Sequence, residues 1–211
     1  MKIEVKNLTK KFKNVLILND VSVAFETGKI YGLYGRNGSG KSVFLKLLCG
    51  LYCPSSGVVL IDGKNYNDST SFPPNLRALI ERPGFFPGLT GYENLKLLAD
   101  IQKKITDSEI METLKIVDLI DEKDKKYHQY SLGMKQKLGI AQALMEDPDI
   151  ILLDEPFNGI EEQTVKKIIN YLKEIKKNKI IIVSTHIKED LNQLADCIYL
   201  FDSGKVGKYE E

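Results

Sequence analysis

The chain has 211 residues, with 30 lysines and arginines against 29 aspartates and glutamates, and a net charge of +1. Its 43% hydrophobic and 28% charged residues are the composition of one globular unit, which excludes a disordered chain. The charge balance argues against a dedicated nucleic-acid binder, and no apolar run approaches the ~20 residues of a membrane span.

The start, Met1-Lys2-Ile3-Glu4-Val5, alternates polar and apolar residues and has no signal-peptide core, so the chain is expected in the cytosol. Alternation or apolar runs predict strands over 2–8, 15–18, 22–25 and 30–34. A helix is expected from Lys41, with Phe44, Leu45, Leu47 and Leu48. A strand over 57–61 follows, then the turn Asp62-Gly63, a surface loop over 65–75, and a strand over 76–80.

The middle changes character. Thr90-Gly91-Tyr92-Glu93 and Thr106-Asp107-Ser108-Glu109 both match the capping box that opens a helix. Leu95, Leu98 and Ile101, then Ile110, Leu114 and Val117, fall at helical spacing. A third helix is expected after Ser131, with Leu138, Ala141, Leu144 and Met145 on one face. Residues 84–147 therefore read as a helical lobe inserted into an α/β core formed by 1–83 and 148–211.

The core then resumes. Ile150 to Asp154 reads as a short strand buried on both faces, the habit of parallel sheets. Val165, Ile168, Ile169, Leu172 and Ile175 predict an amphipathic helix. A strand over 180–184, a helix over 187–195 and a strand over 198–202 complete the pattern. The alternation implies an α/β fold with a mostly parallel sheet and an N-terminal antiparallel β portion.

The 3 cysteines cannot all pair, which suits a reducing compartment. Cys49 and Cys53 sit in an apolar stretch and are expected to be small buried thiols rather than metal ligands, since no CxxC pair is present.

Gly35-Arg36-Asn37-Gly38-Ser39-Gly40-Lys41-Ser42 fits the phosphate-binding pattern G-x-x-x-x-G-K-[ST], placed between an apolar strand and a helix. Glycines let backbone N–H groups close around phosphate oxygens, and the helix N-terminus adds partial positive charge. Lys41 can reach the β- and γ-phosphates, and the Ser42 hydroxyl can hold magnesium. Asp154 and Glu155 end an apolar strand, where open parallel sheets bind ligands. Asp154 can hold magnesium through water, and Glu155 can act as a general base on an attacking water. His186 stands at another strand end, able to donate to a γ-phosphate or orient the water. Ser131 is an expected N-cap, and Gly133 leaves room for an anion near the backbone. This second anion site has no second phosphate in one chain, which hints at a dimer.

Through these residues, nearly the whole chain resembles the nucleotide-binding subunit of ABC transporters. The resemblance implies that Phe12 stacks on adenine and that Gly35 to Ser42, with the adjoining Val43, form the Walker A loop. Glu81 stands at the Q-loop glutamine, as a nucleotide and metal contact. Tyr130 to Met134 occupy the LSGGQ signature, keeping only Ser131 and Gly133. Asp154 and Glu155 match the Walker B aspartate and the catalytic glutamate. Glu161 stands near the D-loop aspartate, and His186 matches the switch histidine. The signature and the segment Glu81-Arg82-Pro83-Gly84-Phe85-Phe86-Pro87 look like the exporter subfamily linked to bacitracin and lantibiotic resistance.

The resemblance implies an ATPase using ATP and Mg2+, with two copies sandwiching two ATPs head to tail. Its partners are a second copy and a separate integral membrane permease, with no nucleic acid. The subunit would lie at the inner face of the cell membrane through that permease. A cluster-assembly ATPase of the same family, lacking a permease, also fits the length. In the loop 83–87, Phe85 and Phe86 sit among turn formers with little core to enter, so at least one is expected to meet the permease.

Overall fold

The computed structural model describes residues 1–66, 72–81 and 84–209. Part of the loop expected over 65–75, and Arg82 and Pro83 in the segment after Glu81, lie outside the described residues. The first four-stranded sheet is antiparallel, in the order β2-β1-β4-β5. Its strands are β1 (Lys2–Phe12), β2 (Val15–Glu26), β4 (Ser56–Ile61) and β5 (Lys64–Asn65). Asp62 (φ 48°) and Gly63 (φ 77°) make the turn between β4 and β5, both left-handed as a type I′ hairpin requires.

The two strands expected over 15–18 and 22–25 are one strand with an irregularity. Asp20 adopts φ 54° and is held by Asn7 Nδ2 at 2.9 Å, while the β1–β2 register shifts between Leu8 and Lys10. A bulge bends a strand without ending it, so the polar residues between the two apolar runs are a kink.

The second sheet has six strands in the order β10-β9-β3-β8-β7-β6. These are β3 (Lys29–Tyr34), β6 (Leu76–Leu79), β7 (Ile150–Asp154), β8 (Ile180–Thr185), β9 (Cys197–Asp202) and β10 (Lys205–Lys208). All neighbours pair parallel except β10, an edge strand antiparallel to β9 that no sequence pattern announced. Every residue of β7 and β8 is buried. Alternate side chains serve opposite cores: Ile151, Leu153, Ile181 and Val183 join one, and Ile150, Leu152, Ile180 and Ile182 the other. That period of two is why these runs are apolar throughout. Each such side chain contributes about 1.5–3 kcal/mol of burial.

Helix α1 (Lys41–Leu48) packs into one core through Phe44, whose ring meets those of Phe25 and Phe201. Helices α2 (Gly91–Gln102), α3 (Asp107–Ile116), α4 (Leu132–Leu144), α5 (Glu162–Ile175) and α6 (Lys188–Leu194) supply the other. Both expected capping boxes form. Thr90 Oγ1 accepts from Glu93 N at 3.0 Å, and Glu93 Oε2 accepts from Thr90 N at 2.7 Å. Thr106 and Glu109 repeat the exchange at the start of α3.

Phe86 is 60% exposed, as expected of at least one ring in the loop 83–87, but the expectation of little core for these rings fails at Phe85, and that of two buried thiols fails at Cys53. Phe85 is 9% exposed and packs edge-on against Tyr127 at 5.3 Å, so a ring in a turn-rich loop has entered the core. Cys49 is buried, but Cys53 is exposed, because the chain past α1 runs over the surface.

Candidate functional site

The loop 35–42 joins the C-terminal end of β3 to α1, and the ends of β7 and β8 lie beside β3 in the same sheet. Topology thus gathers Lys41, Asp154, Glu155 and His186 at one sheet edge. Gly40 has φ 103°, and a Cβ there would lie 3.0 Å from the Leu18 side chain, so the last turn before α1 requires glycine. A cleft of about 290 Å³ is lined by Ile17, by residues 37–43 and by Glu155.

Lys41 is 5% exposed. Its Nζ donates to the carbonyls of Gly35 at 2.6 Å and Arg36 at 3.2 Å, and lies 3.7 Å from Glu155 Oε1. Burial lowers its pKa below the ordinary lysine value, opposed by the Glu155 and Asp154 charges. A buried ammonium whose partners are two carbonyls and the Glu155 carboxylate at 3.7 Å suits an incoming polyanion. The Ser39 hydroxyl is also buried without a hydrogen-bond partner.

Glu155 sits at φ 46°, where its N–H donates to Ser184 O at 3.0 Å and to Ser184 Oγ at 3.3 Å. Oε2 lies 2.9 Å from Nδ1 of the exposed His186, and Oε1 is buried with no hydrogen bond. The carboxylate is thus held between an ammonium and an imidazole with one oxygen uncommitted. Asp154, 5% exposed, accepts from the Ser184 hydroxyl. Ser184 therefore orients both acids, and the sequence reading passed over it. It also passed over Gln136, whose Nε2 donates to Glu155 O at 3.1 Å and ties α4 to the end of β7. A hydroxyl in an apolar strand was the available signal for Ser184; Gln136 carried none.

A second cavity of about 250 Å³ is lined by Glu81, Leu132, Gln136, Asp154, Glu155 and Asn158. Glu81 adopts φ 61°, and its Oε1 accepts from Lys46 Nζ at 2.5 Å. Its carboxyl is therefore committed to a surface ion pair while it borders the acids.

Other expected residues lie apart. Phe12 is 39% exposed at the end of β1 and Arg36 is exposed; neither lines the two cavities. Ser131 is the exposed N-cap of α4, accepting from Met134 N at 3.2 Å. Gly133 is buried, and a Cβ there would lie 2.2 Å from the Gly159 carbonyl oxygen. Close backbone approach within the chain thus explains this glycine, in addition to the expected room for an anion. Glu161 precedes α5 and pairs with the buried Lys137 at 2.8 Å.

The family model of the ABC transporter matches residues 18–158. The chain is 41% identical over 210 residues to the ABC transporter ATP-binding protein YybJ of Bacillus subtilis, covering 99% of this chain and 96% of that protein. It is 38% identical over 207 residues to the bacitracin transport ATP-binding protein BcrA of Enterococcus faecalis, covering 97% of this chain and 67% of that one. A bacterial ABC transporter cassette solved as a dimer superposes with a TM-score of 0.88 at 26% identity, covering 99% of both chains. Joined to a phosphate loop faced by the Glu155 carboxylate, these likenesses settle the assignment: the chain belongs to the ABC transporter family, as an ATP-binding ATPase cassette.

Proposed function

We propose that this ATPase works as a head-to-tail dimer and powers a separate membrane permease, in an exporter of the bacitracin kind. The observation that carries the reading is the Glu155 carboxylate at the mouth of the phosphate-loop cleft, set between Lys41 and His186. The likeness to BcrA supports the export assignment, and the dimeric cassette supports the pairing.

Each residue then has a role. Residues 35–43 cradle the triphosphate, with Lys41 moving from the Gly35 and Arg36 carbonyls to the phosphates. Phe12 meets the base. Glu155 takes the proton of the attacking water, and His186, at 2.9 Å, holds that carboxylate and the water in register. Ser131 and Gly133 of the partner subunit close the site.

The donors present also fit magnesium. Asp154 is buried with a hydroxyl partner and the Ser42 oxygen lies beside the cleft, a hard-oxygen set suited to that ion. Glu81, bordering the same acids, adds a third oxygen. Held by these residues, magnesium would supply neutralisation of the phosphate charge.

No helix among the described residues is long and apolar enough to cross a membrane. As a transporter subunit of this kind, it would lie at the inner face of the cell membrane through its permease. In the same proposal, residues 84–147 form a helical lobe on a core of residues 1–83 and 148–211.

Glu155→Gln tests the catalytic assignment. The variant keeps ATP binding, loses hydrolysis by about 10²–10⁴-fold, and accumulates as an ATP-bound dimer on size-exclusion chromatography. A monomer that hydrolyses normally removes Glu155 as the base. Gentle detergent extraction of a tagged copy tests the partner: recovery of a polytopic membrane protein is expected, and recovery of soluble assembly proteins alone would favour the cluster-assembly alternative.

A further inference from the structure

Tyr52 follows α1 on a loop that is anchored from both sides. Its N–H donates to the Lys46 carbonyl at 3.0 Å, and the Ser55 N–H donates to the Thr9 carbonyl at 2.8 Å. Lys10 Nζ donates to the Cys53 carbonyl at 2.7 Å. The half-buried Tyr52 ring meets the Phe12 ring at a centroid distance of 5.3 Å and an angle of 74°. Two cations bind the pair: Lys10 Nζ lies 4.7 Å from the Phe12 centroid and 5.5 Å from that of Tyr52, and Lys46 Nζ lies 5.3 Å from Tyr52. Lys46 also holds Glu81. One cluster therefore runs from Phe12 to Glu81 through Tyr52 and Lys46, built from residues outside the phosphate loop.

Phe12 stands next to a hairpin turn with 39% of its surface open. A ring so exposed, if unsupported, would be spread over several rotamers and would have to be ordered by the nucleotide. An edge-to-face neighbour and a cation over the ring supply that order beforehand. We infer that Tyr52 is a positioning residue for nucleotide binding, holding the Phe12 ring where it receives the base. The inference rests on the reading of Phe12 as the base contact.

Competition titrations against a fluorescent ATP analogue, on the intact chain, give Kd for ATP and for tripolyphosphate, which has no base. Tyr52→Leu weakens ATP by about 2- to 10-fold, the worth of one aromatic pair, and leaves tripolyphosphate unchanged. Tyr52→Phe keeps ATP affinity, because the ring and not the hydroxyl makes the contact. The double variant with Phe12→Leu binds ATP no more weakly than Phe12→Leu alone. A parallel loss of tripolyphosphate binding, or a fully additive loss in the double variant, overturns the inference. An unchanged ATP affinity in the single Phe12→Leu variant is a different failure: it removes Phe12 from the site, and the positioning role with it.

Discussion

Phe85 and Phe86 are adjacent in sequence and opposite in environment, which makes them a sharp test of what each ring does. Phe85 is 9% exposed, packed on Tyr127 and within the core that contains Leu95 and Leu138. Phe86 is 60% exposed, and its backbone is held independently of its ring: its N–H donates to Asn94 Oδ1 at 2.8 Å and its carbonyl accepts from Asn94 Nδ2 at 3.2 Å. Truncating a buried Phe to Ala costs about 3–5 kcal/mol. A domain of this size loses about 2–4 °C of Tm per kcal/mol, so Phe85→Ala should melt about 6–20 °C below the parent. Phe86→Ala removes a solvated ring and stays within about 0.5 kcal/mol, a shift of no more than ~2 °C. Thermal unfolding of the two single variants, side by side without nucleotide, reads this directly. Equal shifts, or a negligible one for Phe85→Ala, would refute the division. Only Phe86 is then a fair probe of the permease: Phe86→Ser should fold, hydrolyse ATP and fail to retain the membrane protein on purification.

Three further outcomes follow from the site and its supports. Lys41→Ala should abolish most ATP binding, whereas Ser131→Ala should spare binding to the monomer and lower turnover; equal loss of binding in titrations would contradict a shared site. Gly133→Ala drives a Cβ to 2.2 Å from the Gly159 carbonyl, a backbone atom that can yield only by moving α4 or the loop. It should cost about 1–3 kcal/mol and lower hydrolysis more than ATP affinity, seen by pairing melts with turnover. Asp118 has its carboxyl held below the ordinary range by Lys167 at 2.6 Å, with the Thr164 hydroxyl adding at 3.0 Å. Its contribution is present above the unfolded-state value of about 3.9 and is lost as pH falls through the lower folded value. Asp118→Asn should therefore flatten the acid limb of a Tm-against-pH curve, and an unchanged limb would disprove the coupling.

What the sequence disclosed was local. Thr90 with Glu93 and Thr106 with Glu109 are three residues apart, and both boxes form as spaced. The β7 and β8 runs declare double-sided burial because parallel strands leave no polar face. The phosphate loop is contiguous, and its glycine spacing shows in the sequence even though Gly35 and Gly40 also answer to Phe201 and Leu18 far along the chain. What stayed hidden depends on partners distant in the chain. Phe85 looks like a loop residue until Tyr127 arrives beneath it. Gln136 has no visible purpose until α4 lies against the end of β7. Cys53 shares an apolar neighbourhood with Cys49 but lies past the end of α1, where the chain meets solvent.

The backbone contact between Gly133 and Gly159 has a mechanical consequence. Two backbone segments touching without side chains between them resist compression and offer no grip under tension. A push on the 157–160 loop passes straight into the first turn of α4, but a pull would open a gap. The tensile links run alongside it: Gln136 on the Glu155 carbonyl and Lys137 on Glu161. The start of α4 and the segment after Glu155 are thus braced in both directions and form one strut, rooted beside the phosphate-loop cleft. Force on the start of α4 is thus carried in compression by backbone alone and in tension by the Gln136 and Lys137 side chains, and it arrives at the segment that follows Glu155.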